Sequence, residues 1–194
     1  MALRTSVKVG SITNLSDARY CAGMGVDWLG FRTMGNQEKY ISPELFKEIF
    51  GWFAGPKVIA EVYGIQTQQQ LEKVLADYQP EFIELSLKEF SVLQTLTHPT
   101  ILSVTYSEFQ QQKEIILKQK DRVEYLLVSS ETDPAHIIEL TKEFSVLVKM
   151  SNQFKPELLE LPIHGIALDG SSEEKPGLKS YEALANVLEL LEVD

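Results

Sequence analysis

The sequence predicts an α/β protein built as a compact (β/α)8 barrel, one domain over residues 1–194. Three observations carry that expectation. β-rich runs recur eight times, segments with helical spacing lie between them, and each unit takes about 24 residues. The chain falls just short of the roughly 200 residues at the low end for such barrels, so its loops must be short. The runs are 6–12 (SVKVGSI), 27–31 (DWLGF), 57–63 (KVIAEVY), 81–86 (EFIELS), 100–105 (TILSVT), 123–129 (VEYLLVS), 145–150 (SVLVKM) and 164–169 (HGIALD). In the first, alternation sets Lys8 and Gly10 on one face, with Val7 and Val9 on the other, packing against helices. The turn after it, Ser11-Ile12-Thr13-Asn14, is no Gly-rich dinucleotide loop, which disfavours an open doubly wound sheet. Ser42-Pro43 supplies a cap and a first-turn proline for the second helix, whose apolar stripe is Phe46, Ile49, Phe50 and Phe53. Asp133-Pro134 opens 133–144 in the same way, and Lys155-Pro156 opens a short helix ending near Leu161-Pro162.

Composition narrows the functional classes. Hydrophobic residues make up 44% and charged residues 24%, enough for a sizeable core. Lys and Arg number 18 against 28 Asp and Glu, a net charge of −10 that disfavours nucleic acid or an anionic membrane surface as partner. Apolar stretches fall well short of the ~18 residues of a membrane span. The opening MALRTSVKVG lacks the apolar segment of a signal peptide, so a cytoplasmic location is expected. A lone Cys21 leaves no internal disulfide and no cysteine-built metal site. His98, His136 and His164 fall at the wrong end of a barrel or outside it, so neither histidine acid–base chemistry nor a metal site is expected.

Active sites of such barrels lie at the C-terminal strand ends. There the sequence offers Ser11 and Thr13, Arg32, Tyr63, Ser86, Thr105, Ser129 and Ser130, Lys149 and Ser151, and Asp169 with Gly170, Ser171 and Ser172. Lys8, Glu61, Glu84 and Lys149 are charges within strands. Buried charge is costly unless paired, so these four are expected to compensate one another in part. A satisfied polar plug accounts for them as well as a catalytic centre does. The loop DGSSEEKPG (169–177) can offer backbone N–H groups and hydroxyls to a phosphate, although Glu173 and Glu174 oppose an anion.

At these residues the chain resembles the phosphoribosylanthranilate isomerase family. VKVGSITNLSDARYCAGMGVDWLGF (7–31) is similar to the family's opening, and KYISPE (39–44) to its segment before helix 2. FIELS (82–86) resembles its fourth strand, and GIALDGSSEEKPGLKSYE (165–182) its last strand and phosphate loop. The resemblance implies a single-domain TIM barrel without cofactor. The family reaction is an Amadori rearrangement in tryptophan biosynthesis, which converts a phosphoribosyl amine to a ketose by acid–base steps. Taken with the strand-end reading, the candidate phosphate or substrate contacts are Lys8, Ser11, Lys39, Lys149, Gly170, Ser171 and Ser172.

The same comparison marks departures. Gly10 stands where the family carries its general-base cysteine, and Val128 or Ser129 stands where it carries its general-acid aspartate. Lys39 replaces an arginine, and Met150-Ser151 replaces a Gly-Gly phosphate turn. General acid and base groups typically contribute ~10²–10⁴-fold each, so orthodox turnover by that route is not expected. Two readings follow. In one, Asp169 or Glu84 substitutes as acid or base in an isomerase. In the other, the barrel is non-catalytic and binds a small phosphorylated metabolite or a protein partner. Trp52, off the apolar stripe of helix 2, is either covered by the Gly55-Pro56 turn or a contact for a weak homodimer.

Overall fold

The computed structural model describes residues 2–151, 154–170, 173–175, 178–179 and 182–193. Eight parallel strands close into a barrel in chain order. They are β1 (Ser6–Gly10), β2 (Trp28–Arg32), β3 (Lys57–Glu61), β4 (Phe82–Ser86), β5 (Thr100–Ser103), β6 (Val123–Ser129), β7 (Ser145–Lys149) and β8 (Gly165–Asp169). The β8–β1 seam runs from Ser6 opposite Gly165 to Gly10 opposite Asp169. All eight expected strands are present. Antiparallel pairing of Ala2–Leu3 with Glu192–Val193 joins the two ends of the described chain.

Around the barrel lie α1 (Leu15–Gly23), α2 (Pro43–Phe50), α3 (Gln68–Tyr78), α4 (Leu87–Val92), α5 (Tyr106–Lys118), α6 (Pro134–Thr141) and α7 (Glu182–Leu191). A single 3-10 turn, Pro156–Glu160, follows β7 where the sequence suggested a short helix. Helix starts are fixed by side chains that accept the orphan N–H groups of the first turn. Ser42 caps α2 and Asp133 caps α6, each followed by proline as expected. Reciprocal capping boxes also start α3 (Thr67 with Gln70), α4 (Ser86 with Glu89) and α5 (Thr105 with Glu108). Because Ser86 ends β4 and caps α4 at once, no loop intervenes there. Such economy lets a chain of this length close a barrel.

Alternation splits the core in two. Val7, Val9, Leu29, Phe31, Val58 and Ala60 point outward into the helix layer. A separate cluster, Trp28, Ile59, Phe82, Ile101, Tyr125, Leu127, Leu147 and Ala167, fills the lower barrel interior. The α2 stripe is narrower than expected. Phe46 and Ile49 are buried, but Phe50 is 51% exposed. Phe50, at the last position of the helix, lies at the margin of the stripe, stacked on Phe46 and edge-on to Phe53.

Candidate functional site

Above the apolar interior, at the C-terminal ends of β1 to β4, charge replaces hydrocarbon. Lys8 Nζ lies 2.8 Å from Glu61 Oε1 and 2.7 Å from Glu84 Oε2. All three residues are at most 3% exposed. Strand register makes the cluster: Glu61 is the direct neighbour of Glu84 on one side and of Arg32 on the other. The contact to Glu61 is a hydrogen bond, whereas Glu84 Oε2 meets the ammonium off the line of a good one. The other Glu84 oxygen accepts from the Tyr63 hydroxyl at 2.6 Å.

Glu61 is the best-held group. Besides Lys8, it accepts from the Ser11 backbone N–H at 3.2 and 3.3 Å and from the Ser11 hydroxyl at 3.4 Å. Arg32 Nε donates to Ser11 Oγ at 2.9 Å and stands 3.7 Å from Glu61 Oε2. Ser11 adopts φ 54°, a left-handed conformation that is uncommon for a residue with a Cβ.

Two glycines clear the volume that this carboxylate fills. A Cβ on Gly10 would lie 2.5 Å from Glu61 Oε1 and 2.7 Å from Lys8 Nζ, and one on Gly30 would collide with the same oxygen. The space where a side chain at position 10 would begin is therefore taken by a carboxylate reaching across from β3.

Protonation follows from this packing. Burial by itself would lower the Lys8 pKa, but Glu61 and Glu84 outweigh it and raise the value above that of an ordinary lysine. Burial pushes Glu84 above the usual carboxylate range; Glu61 adds to the rise and Lys8 opposes it. Tyr63 is raised well above its ordinary value, first by burial and then by the two carboxylates.

The rim is a second, more open layer. Lys149 was expected to join the buried charges; instead its ammonium pairs with Asp169 at 3.1 Å, both side chains being nearly half exposed. Burial would raise the Asp169 pKa, but Lys149, with Lys8 and Lys39 behind it, brings it below the ordinary value. Lys39 is exposed, with a left-handed φ of 62°. Ser129 is at the rim by register opposite Lys149, while Val128 belongs to the outer core, so Ser129 is the strand-6 residue on the interior face. The Gly170 N–H donates to the Gly10 carbonyl at 2.7 Å. That of Ser151 donates to Ser130 Oγ at 3.2 Å. Both amides are thus engaged within the chain. Ser171 and Ser172 lie outside the described residues.

Sequence reasoning placed Lys8, Glu61 and Glu84 inside the barrel but gave Glu61 no site role. Arg32 and Tyr63 stood only among strand-end residues. The signal that could have promoted them is the run of charged or hydroxyl residues at adjacent strand ends. The histidines stay away from this layer: His164 packs at the lower end beside Trp28 and Tyr125, and His136 stacks on Tyr106 outside the barrel. A cleft of about 340 Å³ lined by Asp27, Trp28, Pro56 and Lys57 also lies at the lower end, remote from these charges. Among the described residues no cluster of acidic, histidine or cysteine side chains could hold a metal, and no helix is long and apolar enough to cross a membrane.

No family model matches the chain. Among curated proteins it is similar to N-(5'-phosphoribosyl)anthranilate isomerase of Thermotoga neapolitana, 24% identical over 187 residues, covering 77% of this chain and 90% of the relative. Among solved structures it is similar to a phosphoribosylanthranilate isomerase in complex with reduced 1-(o-carboxyphenylamino)-1-deoxyribulose 5-phosphate. That match has TM-score 0.74 and 17% identity, and covers 95% of this chain and 97% of the other. Monomers generated from the dimeric enzyme of Thermotoga maritima match with TM-score 0.71 and 16% identity, over 93% of this chain and 94% of theirs.

Proposed function

We propose, for a chain that is a divergent member of the phosphoribosylanthranilate isomerase family, that it serves as a non-catalytic barrel binding a small phosphorylated metabolite at its C-terminal rim. One observation carries this reading: the Glu61 carboxylate fills the space over Gly10, where the family resemblance sets the general base. It is buried and held by Lys8 and Ser11, so it is poorly placed to receive a proton from a substrate carbon. On the strand-6 side the inward residue is Ser129, with no carboxylate. Losing both acid–base groups removes ~10²–10⁴-fold per group. The rim keeps the exposed Lys39 for an anion, Lys149 can join it where an anion displaces the Asp169 carboxylate, and the Ser171-Ser172 hydroxyls are the further contacts we assign to it. A single buried thiol, Cys21, is in keeping with a cytoplasmic location. We also assign weak self-association to the exposed Trp52.

The test combines turnover and binding. The purified protein should fail to convert N-(5'-phosphoribosyl)anthranilate and fail to rescue a strain lacking the isomerase. Ribose 5-phosphate should raise its Tm in a saturable way, and ribose should not. Rescue with turnover overturns the non-catalytic reading, and no shift with sugar phosphates overturns the ligand class in favour of a protein partner. A second reading, an isomerase using substitutes, is favoured by two observations: Asp169 is half exposed at the rim, and burial raises the Glu84 pKa. It requires turnover that Asp169→Asn or Glu84→Gln abolishes.

A further inference from the structure

The groups around Glu61 have the makeup of a receptor for a carboxylate. An ammonium, a backbone N–H and a hydroxyl converge on its two oxygens, with a guanidinium beside them. Charged donors on a carboxylate make the stronger hydrogen bonds, and a fixed backbone N–H adds direction. The backbone is bent to supply it: Ser11 takes its left-handed φ where its N–H meets both Glu61 oxygens. Unusual backbone conformations persist only where the surroundings hold them. The bare faces of Gly10 and Gly30 give the bound group room, since a Cβ on either would strike it. Two strands, β1 and β2, and the turn after β1 thus build the cradle, and the side chain of Glu61 occupies it from β3.

We infer that Lys8, Ser11 and Arg32 form a carboxylate-binding cradle which the chain fills with its own Glu61, so that an external small carboxylate and Glu61 compete for one site. In the native protein the internal group wins by effective concentration, because it is tethered on a rigid strand. Its occupancy seals the interior, and a ligand bearing acid groups is confined to the rim around Lys39 and Lys149. With Glu61 shortened, the cradle takes a carboxylate of formate or acetate size. This inference concerns the interior alone and stands independently of whether the rim binds a phosphorylated metabolite.

The experiment is thermal unfolding of Glu61→Ala and wild type against increasing formate, with chloride at matched ionic strength. The expected result is a saturable rise in Tm in Glu61→Ala with formate and acetate, absent with chloride and absent in wild type. Glu61→Gln, which keeps the volume filled, should show no formate-specific shift. Equal responses to formate and chloride in a folded Glu61→Ala overturn the inference. If Glu61→Ala does not fold alone, refolding from denaturant asks the same question: cooperative unfolding recovered only with formate supports the cradle. No recovery in either salt, while Glu61→Gln folds, overturns it.

Discussion

The lower and upper halves of the barrel interior are filled by opposite means. Below, Trp28 meets Tyr125 and Phe82 edge-on at 5.5 and 6.3 Å between ring centres, and Ile59, Ile101 and Leu147 complete an apolar cluster. Above, one ammonium lies between two carboxylates, and a guanidinium flanks one of them. The lower half depends on volume, and a lost methyl leaves a small void. The upper half depends on charge balance, and a lost partner leaves a buried ion. Damage of the same size in atoms should therefore cost far more above than below.

The largest effect is expected from Lys8→Met. It strands Glu61 and Glu84 in the interior, and breaking a buried ion pair by removing one partner costs about 3–5 kcal/mol. Ile59→Val in the lower cluster should cost about 0.5–1.5 kcal/mol. Urea unfolding at neutral pH makes the comparison; equal losses would dissolve the distinction between the halves. pH sharpens it. The Glu84 pKa is raised, first by burial, above its ordinary 4.5, so the folded protein holds that proton more tightly than the unfolded chain does. Its contribution to stability is fully present below 4.5 and is lost as pH rises through the higher folded value. In Lys8→Met the opposing cation is gone, so the destabilisation should shrink on acidification through that window. Ile59→Val should show no such trend.

Next in size is Gly10→Ala. The added Cβ falls against Glu61 Oε1 and Lys8 Nζ, so the pair must shift, at about 1–3 kcal/mol by analogy with overpacked cores. The double variant Gly10→Ala with Glu61→Ala should cost less than the sum of the two singles. Additive losses in the double-mutant cycle would mean the glycine is not there to make room for the carboxylate.

The halves also differ in how far the sequence discloses them. Strands 1 to 8 could be read as β-rich runs recurring between segments of helical spacing, and in the first the alternation Val7-Lys8-Val9-Gly10 also separates the two faces. Lys8, Glu61 and Glu84 could be placed in the interior for the same reason. Which carboxylate is pinned to Ser11 could not, because it depends on neighbouring register and on a left-handed Ser11 that a non-glycine residue does not announce. Lys149 misled for a related reason. At the last position of β7 its long stem carries the ammonium outward to Asp169, where water still solvates it. Capping explains the short loops only in hindsight: Ser86 and Thr105 read equally well as mouth hydroxyls, yet both start helices.

The smallest effect on folding is expected outside the barrel, at Trp52. It lies just beyond the end of α2, in the turn where its N–H donates to the Ile49 carbonyl at 3.1 Å. The side chain is 66% exposed, so the Gly55-Pro56 turn does not cover it, and nearby Phe50 and Leu45 are 51% and 40% exposed. Truncating so open a side chain should change folding stability by no more than about 0.5 kcal/mol. A rigid indole on a fixed backbone is nevertheless the type of group that anchors interfaces. Wild type should sediment as a weak, concentration-dependent dimer and Trp52→Ala as a monomer of unchanged Tm. A concentration-independent monomer in both proteins would remove self-association through this face, and an equal dimer in both would move it elsewhere on the surface.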